Sequence, residues 1–255
     1  DPTCVRVCEN DAENDFPALW MASSQHRHHL SKHVLPFVAM VARPVGKTEQ
    51  QNNAKAKAAL EKEWTRLRKI GCWDESKVRE WSEVQAECKR TGKKAHVGLI
   101  FEICVEKGSE LPEGDPGRKF KGRVVFQGNN VKDENWNAAT FQELSSSPAT
   151  MEAGKAAAAY GLFEGHTVMQ CDAEQAYIQS RLGGDTPTWV QLPKDRWPDS
   201  WVQRKLVDPV CPLILALYGH PDSGGYWEKH CAEHWTSVGY EAVPGWRSCY
   251  FHKKL

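Results

Sequence analysis

The sequence predicts an α+β fold, and three patterns carry that prediction. Apolar residues recur at helical spacing within residues 53–70 and again within residues 74–90. Residues 96–106 instead alternate between apolar and polar side chains, as a half-buried strand does. A turn-rich connection over residues 107–117 and a second strand over residues 119–127 then predict a hairpin with a long tip. We therefore expect an antiparallel sheet with helices packed against it.

The overall composition is that of a globular protein, with 40% hydrophobic and 26% charged residues in a chain of 255. The formal net charge is zero, so any binding of nucleic acid has to come from a local basic patch. The nine cysteines are irregularly spaced, which favours reduced thiols in an intracellular, cytoplasmic protein. No apolar run approaches the roughly 18 residues that cross a bilayer, so we expect no membrane partner.

The first part of the chain, residues 1–52, shows little periodicity. We expect it to be a poorly ordered leader or the end of an upstream region, with the main domain over residues 53–255. Its possible zinc ligands are Cys4, Cys8, His26, His28, His29 and His33. The metal-free interpretation is favoured, because the cysteine pair lacks a short knuckle context and the histidines lie in a polar, basic run.

Two helices begin the main domain. The first is predicted over residues 53–70 and the second over residues 74–90, with Gly71 as a stop and Asp74 as an N-cap. Each helix carries an apolar stripe, which is most simply a core contact. The stripe residues are Leu60, Trp64 and Leu67 in the first helix and Val78, Trp81, Val84 and Cys88 in the second.

The alternation in the hairpin predicts which side chains share a face. In the first strand, the apolar face is predicted to contain Val97, Leu99, Phe101, Ile103 and Val105. In the second strand, a basic face contains Lys119, Lys121 and Arg123, and the opposite face contains Phe120, Val124 and Phe126. Two interpretations of the basic face are open: a solvated edge strand, which lysines commonly protect, or a surface that captures phosphate.

The middle of the chain predicts a helix followed by a strand. Ser147 before Pro148 is a favourable helix start, and an alanine-rich helix is expected over residues 151–163. An extended run over residues 166–172 then ends at Asp172, and a short helix-like segment follows over residues 173–182. A carboxylate at the end of a strand suits Mg²⁺, which needs few protein ligands, although a structural role is the alternative.

The last part of the chain alternates between buried and exposed segments. In order, we predict a strand over 188–192, a surface loop over 194–208, a buried run over 210–219, a helix over 225–238 and a strand over 248–252. The helix stripe is expected to be Trp227, Cys231, Trp235 and Val238. His230 and His234 lie one turn apart, but an exposed pair is favoured because no third metal ligand is implied.

The phrase around Asp172 resembles motif A of copia-type retrotransposon reverse transcriptases. The family writes this motif roughly as Asp-Val-x-x-Ala-Phe-Leu, and here it is Asp172-Ala173-Glu174-Gln175-Ala176-Tyr177-Ile178. Four more phrases resemble the family in the same order: Lys121 to Val125, Phe141 to Pro148, Trp189 to Pro193, and Leu217-Tyr218-Gly219 followed by Trp227. Glu63 and Leu67 also fit its leading Glu-x-x-x-Leu helix. The resemblance covers about residues 54–252.

The resemblance implies a partial right-hand polymerase fold, with a fingers hairpin and an incomplete palm. It assigns Asp172 as a catalytic ligand of Mg²⁺ in a two-ion site. Tyr177 becomes the steric gate that excludes ribonucleotides, and Lys121 and Arg123 become the residues that hold the triphosphate of the incoming nucleotide. Lys119 carries a weaker assignment of the same kind.

The sequence departs from the family in two places. Residues 220–225 replace the family's Leu-Lys-Gln-Ala-Pro-Arg, and Asp222 there would repel a triphosphate unless it is protonated or turned away. No Tyr-x-Asp-Asp occurs in the 255 residues, so the chain is expected to stop before that motif. The later palm, thumb and ribonuclease H regions of the polyprotein would then be partners supplied elsewhere.

The implied activity is RNA-directed DNA polymerisation: Mg²⁺-dependent nucleotidyl transfer from dNTP onto an RNA or DNA template-primer, in a fragment inactive by itself. Two alternatives remain open. The chain is either a non-catalytic nucleic-acid-binding remnant of a retroelement that uses the basic hairpin, or a zinc-binding module built on its cysteines and histidines.

Overall fold

The computed structural model describes residues 4–6, 42–141 and 148–253, which belong to two compact units. The smaller unit contains Cys4–Arg6 and Met151–Glu174, and the larger unit contains the other described residues. The combination of helices with a mixed sheet confirms the α+β class. Cys8, the four histidines of the predicted leader and residues 142–147 of the predicted helix start lie outside the described residues.

The elements are numbered in chain order. The strands are β1 (Cys4–Arg6), β2 (Ala42–Pro44), β3 (Arg79–Glu80), β4 (His96–Lys107), β5 (Lys119–Phe126), β6 (Lys132–Asp133), β7 (Met169–Cys171), β8 (Thr188–Gln191), β9 (Pro209–Pro212), β10 (Tyr240–Ala242) and β11 (Tyr250–His252). The α-helices are α1 (Lys47–Asn52), α2 (Ala54–Lys69), α3 (Trp81–Thr91), α4 (Met151–Tyr160), α5 (Asp199–Gln203) and α6 (Ser223–Ser237). Residues 42–52, at the end of the expected leader, thus form β2 and α1.

The central sheet of the larger unit contains seven strands among the described residues. Its order is β2-β4-β8-β9-β3, and β5 and β6 also pair with β4. β4 and β5 form the predicted antiparallel hairpin, with Ile100 opposite Phe126 at one end and Lys107 opposite Lys119 at the other. β8, however, runs parallel to β4. The prediction of an antiparallel sheet is therefore wrong at this pair, where a long connection separates the two strands in sequence.

The first predicted helix, α2, is confirmed together with its buried stripe. Asn53 caps it by accepting hydrogen bonds from the backbone N–H groups of Lys55 and Ala56. Its stripe residues Leu60, Trp64 and Leu67 are buried. The Trp64 indole N–H donates to Glu102 Oε2 at 2.7 Å, which joins α2 to β4.

The second predicted helix begins later than the sequence indicates. Asp74 caps a single 3₁₀ turn, Glu75–Lys77, by accepting from the N–H of Ser76 at 3.1 Å. The chain is then extended through β3, which pairs with β9, and α3 begins at Trp81. Val78 lies in this extended segment, and its side chain is buried. Strand pairing therefore replaces the first turns of the predicted helix.

From Gly98 onward the strand β4 alternates as predicted, but its core face there is the opposite one, while Val97 of the predicted face is buried. Leu99, Phe101 and Ile103 are each about 40% exposed, whereas Ile100 and Cys104 are buried. The polar residues on the buried face are satisfied by partners from elsewhere in the chain. Glu102 accepts from Trp64, and Glu106 accepts from Arg43 and Arg118 at 2.7 Å each.

The segment predicted as a surface loop over residues 194–208 contains structure and part of the core. It forms a 3₁₀ turn, Lys194–Arg196, and the helix α5. Trp201 of α5 is 1% exposed, and Trp197 packs against the same core cluster. The surface-loop prediction is therefore wrong. The segment is polar in composition overall, and this composition does not reveal that its two tryptophans pack in the core.

Other predictions for the larger unit are confirmed. Val210, Cys211, Ala216 and Leu217 of the predicted buried run are buried. α6 and the strands β8 and β11 form within one or two residues of their predicted positions. Within the described ranges, no helix has both the length and the apolar character needed to cross a membrane.

Among its described residues, the smaller unit contains a two-stranded sheet and one helix. β1 pairs antiparallel with β7, with Arg6 opposite Met169 and Cys4 opposite Cys171. The helix α4 ends at Tyr160, three residues before the predicted end. The predicted strand over 166–172 is shorter than expected, and Asp172 follows β7 directly.

Candidate functional site

The basic face of the hairpin is formed by alternate residues of β5. Arg123 lies opposite Ile103 and Lys121 lies opposite Val105, so all four side chains are on one face of the sheet. Lys121 is exposed, and Arg123 is partly buried. The predicted grouping of these two basic side chains is confirmed.

The opposite face of β5 lies against α2, and Gly122 permits this contact. A Cβ atom at Gly122 would lie 2.7 Å from the backbone carbonyl oxygen of Ala59, closer than packed atoms allow. Val124 and Phe126 on the same face are buried. Because residues alternate across a strand, this packing directs Lys121 and Arg123 away from α2.

Arg123 lies against a pair of tyrosines that come from distant parts of the chain. Its guanidinium carbon is 5.2 Å from the ring centroid of Tyr218, a cation–π distance. The Tyr218 ring in turn packs on Tyr177, with ring centroids 4.7 Å apart and planes at 36°. We call these three residues the Arg–Tyr–Tyr stack. It brings together two of the four predicted site residues, Arg123 and Tyr177.

Tyr218 is held in place by its backbone. Its carbonyl oxygen accepts a hydrogen bond from the N–H of Phe126 at 2.7 Å, at the end of β5. The next residue, Gly219, has a φ of +90°, and a Cβ there would collide with the backbone carbonyl of Phe126. Both the conformation and the lack of space require glycine at this position. Ser223 Oγ also donates to the carbonyl of Leu217 at 2.7 Å.

Tyr177 is fixed by a short 3₁₀ helix, Ala176–Gln179. The next side chain, Ile178, is buried and anchors this turn in the core. Ser180 donates both its N–H, at 3.0 Å, and its hydroxyl, at 2.7 Å, to the carbonyl of Tyr177. The tyrosine ring is thereby left partly exposed beside Tyr218.

The electrostatics of this surface differ from those of the other arginine sites. In the part of the chain that the structure describes, no carboxylate lies within ion-pairing distance of Lys121 or Arg123. Partial desolvation, followed by repulsion from Arg123, lowers the pKa of Lys121. Arg118, at the start of the same basic run, is instead neutralised by Glu106 at 2.7 Å. The positive charge that is left for a ligand therefore lies around Lys121 and Arg123.

Asp172 belongs to the smaller unit, where it is exposed directly after β7. Among the described residues, no group of three or more histidine, cysteine, aspartate or glutamate side chains could hold a metal ion. The described residues thus do not supply a complete ligand set for Mg²⁺, and we derive no step through the metal. The assignment of Asp172 stays a prediction. The same finding covers His230 and His234, whose rings lie beside Trp227 and Trp235 on α6.

Two features of the site were missed by the sequence interpretation. Tyr218 was part of the Leu-Tyr-Gly phrase, but its ring was given no role. His220 is buried just beyond it, and the backbone N–H of Asp222 donates to His220 Nδ1 at 3.2 Å. Burial raises the pKa of Asp222, which shifts this carboxyl toward the protonated form that a nearby triphosphate would require.

No family model, no curated protein and no solved structure matches this chain at a significant level. The resemblance to copia-type reverse transcriptases therefore stays a prediction that depends on motif order.

Proposed function

We propose that this chain is the fingers and first palm portion of a copia-type reverse transcriptase, and that its Arg–Tyr–Tyr stack binds the incoming dNTP. The observation that carries the proposal is that Arg123 and Tyr177, which are 54 positions apart in sequence, both lie against the Tyr218 ring. The family resemblance assigns both residues to one nucleotide, so the two side chains have to lie near each other. Their common contact with Tyr218 supports this.

The chemistry of the stack suits a nucleoside triphosphate. A guanidinium presents several N–H donors in a planar fork that matches phosphate oxygens, and no carboxylate among the described residues pairs with Arg123 to compete. Lys121 adds a second positive charge on the same face. Tyr177 offers an aromatic edge for the sugar. The family resemblance separately assigns Asp172, in the smaller unit, as a metal ligand, with template-primer and the later polyprotein regions as partners.

The test is binding of a fluorescent deoxynucleoside triphosphate by the pure 255-residue protein. We expect Arg123→Ala to weaken binding by about tenfold to a hundredfold, because it removes charge-assisted hydrogen bonds to phosphate. Arg90→Ala, which removes an exposed charge at the end of α3, is the matched control and should change binding little. Equal affinity of wild type and Arg123→Ala would overturn the proposal.

The chain alone is expected to add no nucleotide to a primer, because one carboxylate cannot hold two cations and the 255 residues contain no Tyr-x-Asp-Asp. Incorporation of dNTP above background by the pure protein would contradict this part of the proposal and leave the binding result unaffected.

A second candidate function is favoured by the outward face of the hairpin. Leu99, Phe101 and Ile103 are exposed there beside Lys121 and Arg123, a combination of apolar and basic groups that suits nucleic acid. A binding remnant without catalysis would bind primer-template with a strong salt dependence. Affinity that is unchanged by Asp172→Asn, together with no response to dNTP, would favour this candidate over the polymerase.

A further inference from the structure

A polar cavity of about 60 Å³ lies in the larger unit where β4, β8 and α6 begin. Its walls contain two histidines, two aspartates, three threonines and one tyrosine, and no lysine or arginine is among the described residues that line it. We call it the His96 cavity. A water molecule needs roughly 10–15 Å³ of such space, so the cavity has room for a small polar group but not for a nucleotide.

His96 is buried without a hydrogen-bond partner. It is 8% exposed, and its ring lies 4.8 Å from that of Phe141 between centroids. The described residues give no hydrogen bond to its ring nitrogens, whereas His220, the other histidine of the cavity, has partners at both of its nitrogens. Burial lowers the pKa of His96, which keeps the ring neutral, and a neutral imidazole has one nitrogen that accepts a hydrogen bond. A buried acceptor without a donor is destabilising, so His96 favours a ligand that donates.

The two aspartates of the cavity supply negative charge. Asp222 is the N-cap residue of α6, but its side chain makes no cap hydrogen bond. In the part of the chain that the structure describes, neither Asp222 nor Asp185 forms an ion pair. Burial raises the pKa of Asp222, and no cation acts in the opposite direction. The carboxylate oxygens are therefore available to a cationic ligand.

Tyr226 brings a hydroxyl group to the same place. A Cβ atom at Gly183 would lie 2.8 Å from Tyr226 Cε1, and one at Gly184 would lie 2.9 Å from the hydroxyl oxygen, so the ring fills the space that side chains there would take. Burial raises the pKa of Tyr226, and the charges of Asp222 and Asp185 raise it further. Both carboxylates thus act on this hydroxyl, which has no hydrogen-bond partner among the described residues.

We propose that the His96 cavity binds the primary ammonium group of a small amine. A protonated amine carries one positive charge and three N–H donors, and His96, Asp222 and Tyr226 offer it acceptors. An anion is disfavoured, because two carboxylates outweigh the roughly half positive charge at the start of α6. No residue of the Arg–Tyr–Tyr stack lines the cavity, so this site does not depend on the proposed nucleotide binding.

The test compares propylammonium with propyltrimethylammonium, which has the same charge but no N–H donor. Each is titrated into the pure protein at constant ionic strength, and the histidine ring signals are followed by NMR, with His96→Gln to assign the His96 signal. We expect saturable shifts of the His96 ring with propylammonium and binding of the trimethylated cation that is at least about tenfold weaker. Equal affinity of the two cations, or no saturable shift with propylammonium, would overturn the proposal.

Variants locate the bound amine. Asp222→Asn keeps the shape of the side chain and removes its charge, and it should weaken propylammonium binding by about tenfold. Tyr226→Phe keeps the ring that packs on the glycines and should weaken binding by about threefold. Asp199→Asn, at an exposed position at the start of α5, is the matched control and should change binding little. Unchanged affinity in folded Tyr226→Phe and Asp222→Asn, or an equal loss in Asp199→Asn, would contradict the assignment to this cavity.

Discussion

The role of an arginine in this molecule follows from the group that faces it. Arg43 and Arg118 converge on the buried carboxylate of Glu106, and Arg196 connects Glu61 to Glu102. These side chains hold strands and helices together. Arg123, by contrast, has the Tyr218 ring as its neighbour and no carboxylate within ion-pairing distance among the described residues. Its donors remain available for a ligand.

The contact between Arg123 and Tyr218 can be measured with a double-mutant cycle. We expect Arg123→Met and Tyr218→Leu to show a coupling free energy of about 0.5–1 kcal/mol in urea unfolding, the usual size of a partly exposed cation–π contact. Tyr218→Phe keeps the ring and should retain the coupling. Additive effects of the two substitutions would show that the arginine and the ring do not interact.

The residue Tyr218 shows where sequence interpretation of the site stops. Alternation along β5 places Lys121 and Arg123 on one face, and this local property is predictable. The approach of Tyr218 depends on one hydrogen bond, from the N–H of Phe126, and on the absence of a side chain at Gly219. Neither contact has a signature in the pattern of apolar residues, so the stack emerges from the structure alone.

At the scale of elements, the sequence predicts which residues of a helix or strand share a face. It does not predict which face is buried when that depends on side-chain partners distant in sequence. The stripe of α2 is buried because a helix on a sheet needs an apolar face. The core face of β4 was predicted wrongly because Glu102 and Glu106 are satisfied by Trp64, Arg43 and Arg118, which the alternation cannot reveal. An apolar-polar alternation defines two faces and leaves open which one is buried.

The contact between α2 and β5 depends on Gly122, and a single methyl group tests it. We expect Gly122→Ala to lower the free energy of unfolding by about 2 kcal/mol, because the new Cβ meets the fixed carbonyl of Ala59. Gly46→Ala is the control: nothing lies within 4 Å of its Cβ, so its cost should stay below about 1 kcal/mol in the same urea titration.

An equal loss of stability in both variants would mean that the cost comes from the helix cap or the unfolded chain and not from this contact. If Gly122→Ala also weakened dNTP binding at full folding, α2 would be shown to set the position of the basic face.

At the scale of the larger unit, two kinds of titrating group make the free energy of unfolding fall with pH, each in a different pH range. Hydrogen bonds from Arg118 and Arg43 lower the pKa of Glu106, so its stabilising contribution is lost as the pH falls below the ordinary glutamate value. His220 acts at higher pH. Its Nε2 lies 3.2 Å from Thr188 Oγ1, and its ring packs against Phe126 and Phe141.

The stability of the larger unit is expected to fall as the pH drops from 6.5 toward 4, because of His220. Burial lowers its pKa from 6.5 to about 4, so between these values the unfolded chain binds a proton that the folded chain does not. The contribution is fully present above pH 6.5, and up to about 3 kcal/mol is lost as the pH falls toward 4. Protonation also sets Nδ1–H against the N–H of Asp222, which strains the turn that holds Tyr218.

Urea unfolding across this pH range should show the slope of the unfolding free energy against pH. His220→Asn should reduce this slope. A residual slope should remain because burial also lowers the pKa of His96. His230→Asn, at a partly exposed position, should leave the slope unchanged. A pH-independent unfolding free energy in the wild type would show that His220 is already solvated in the folded state.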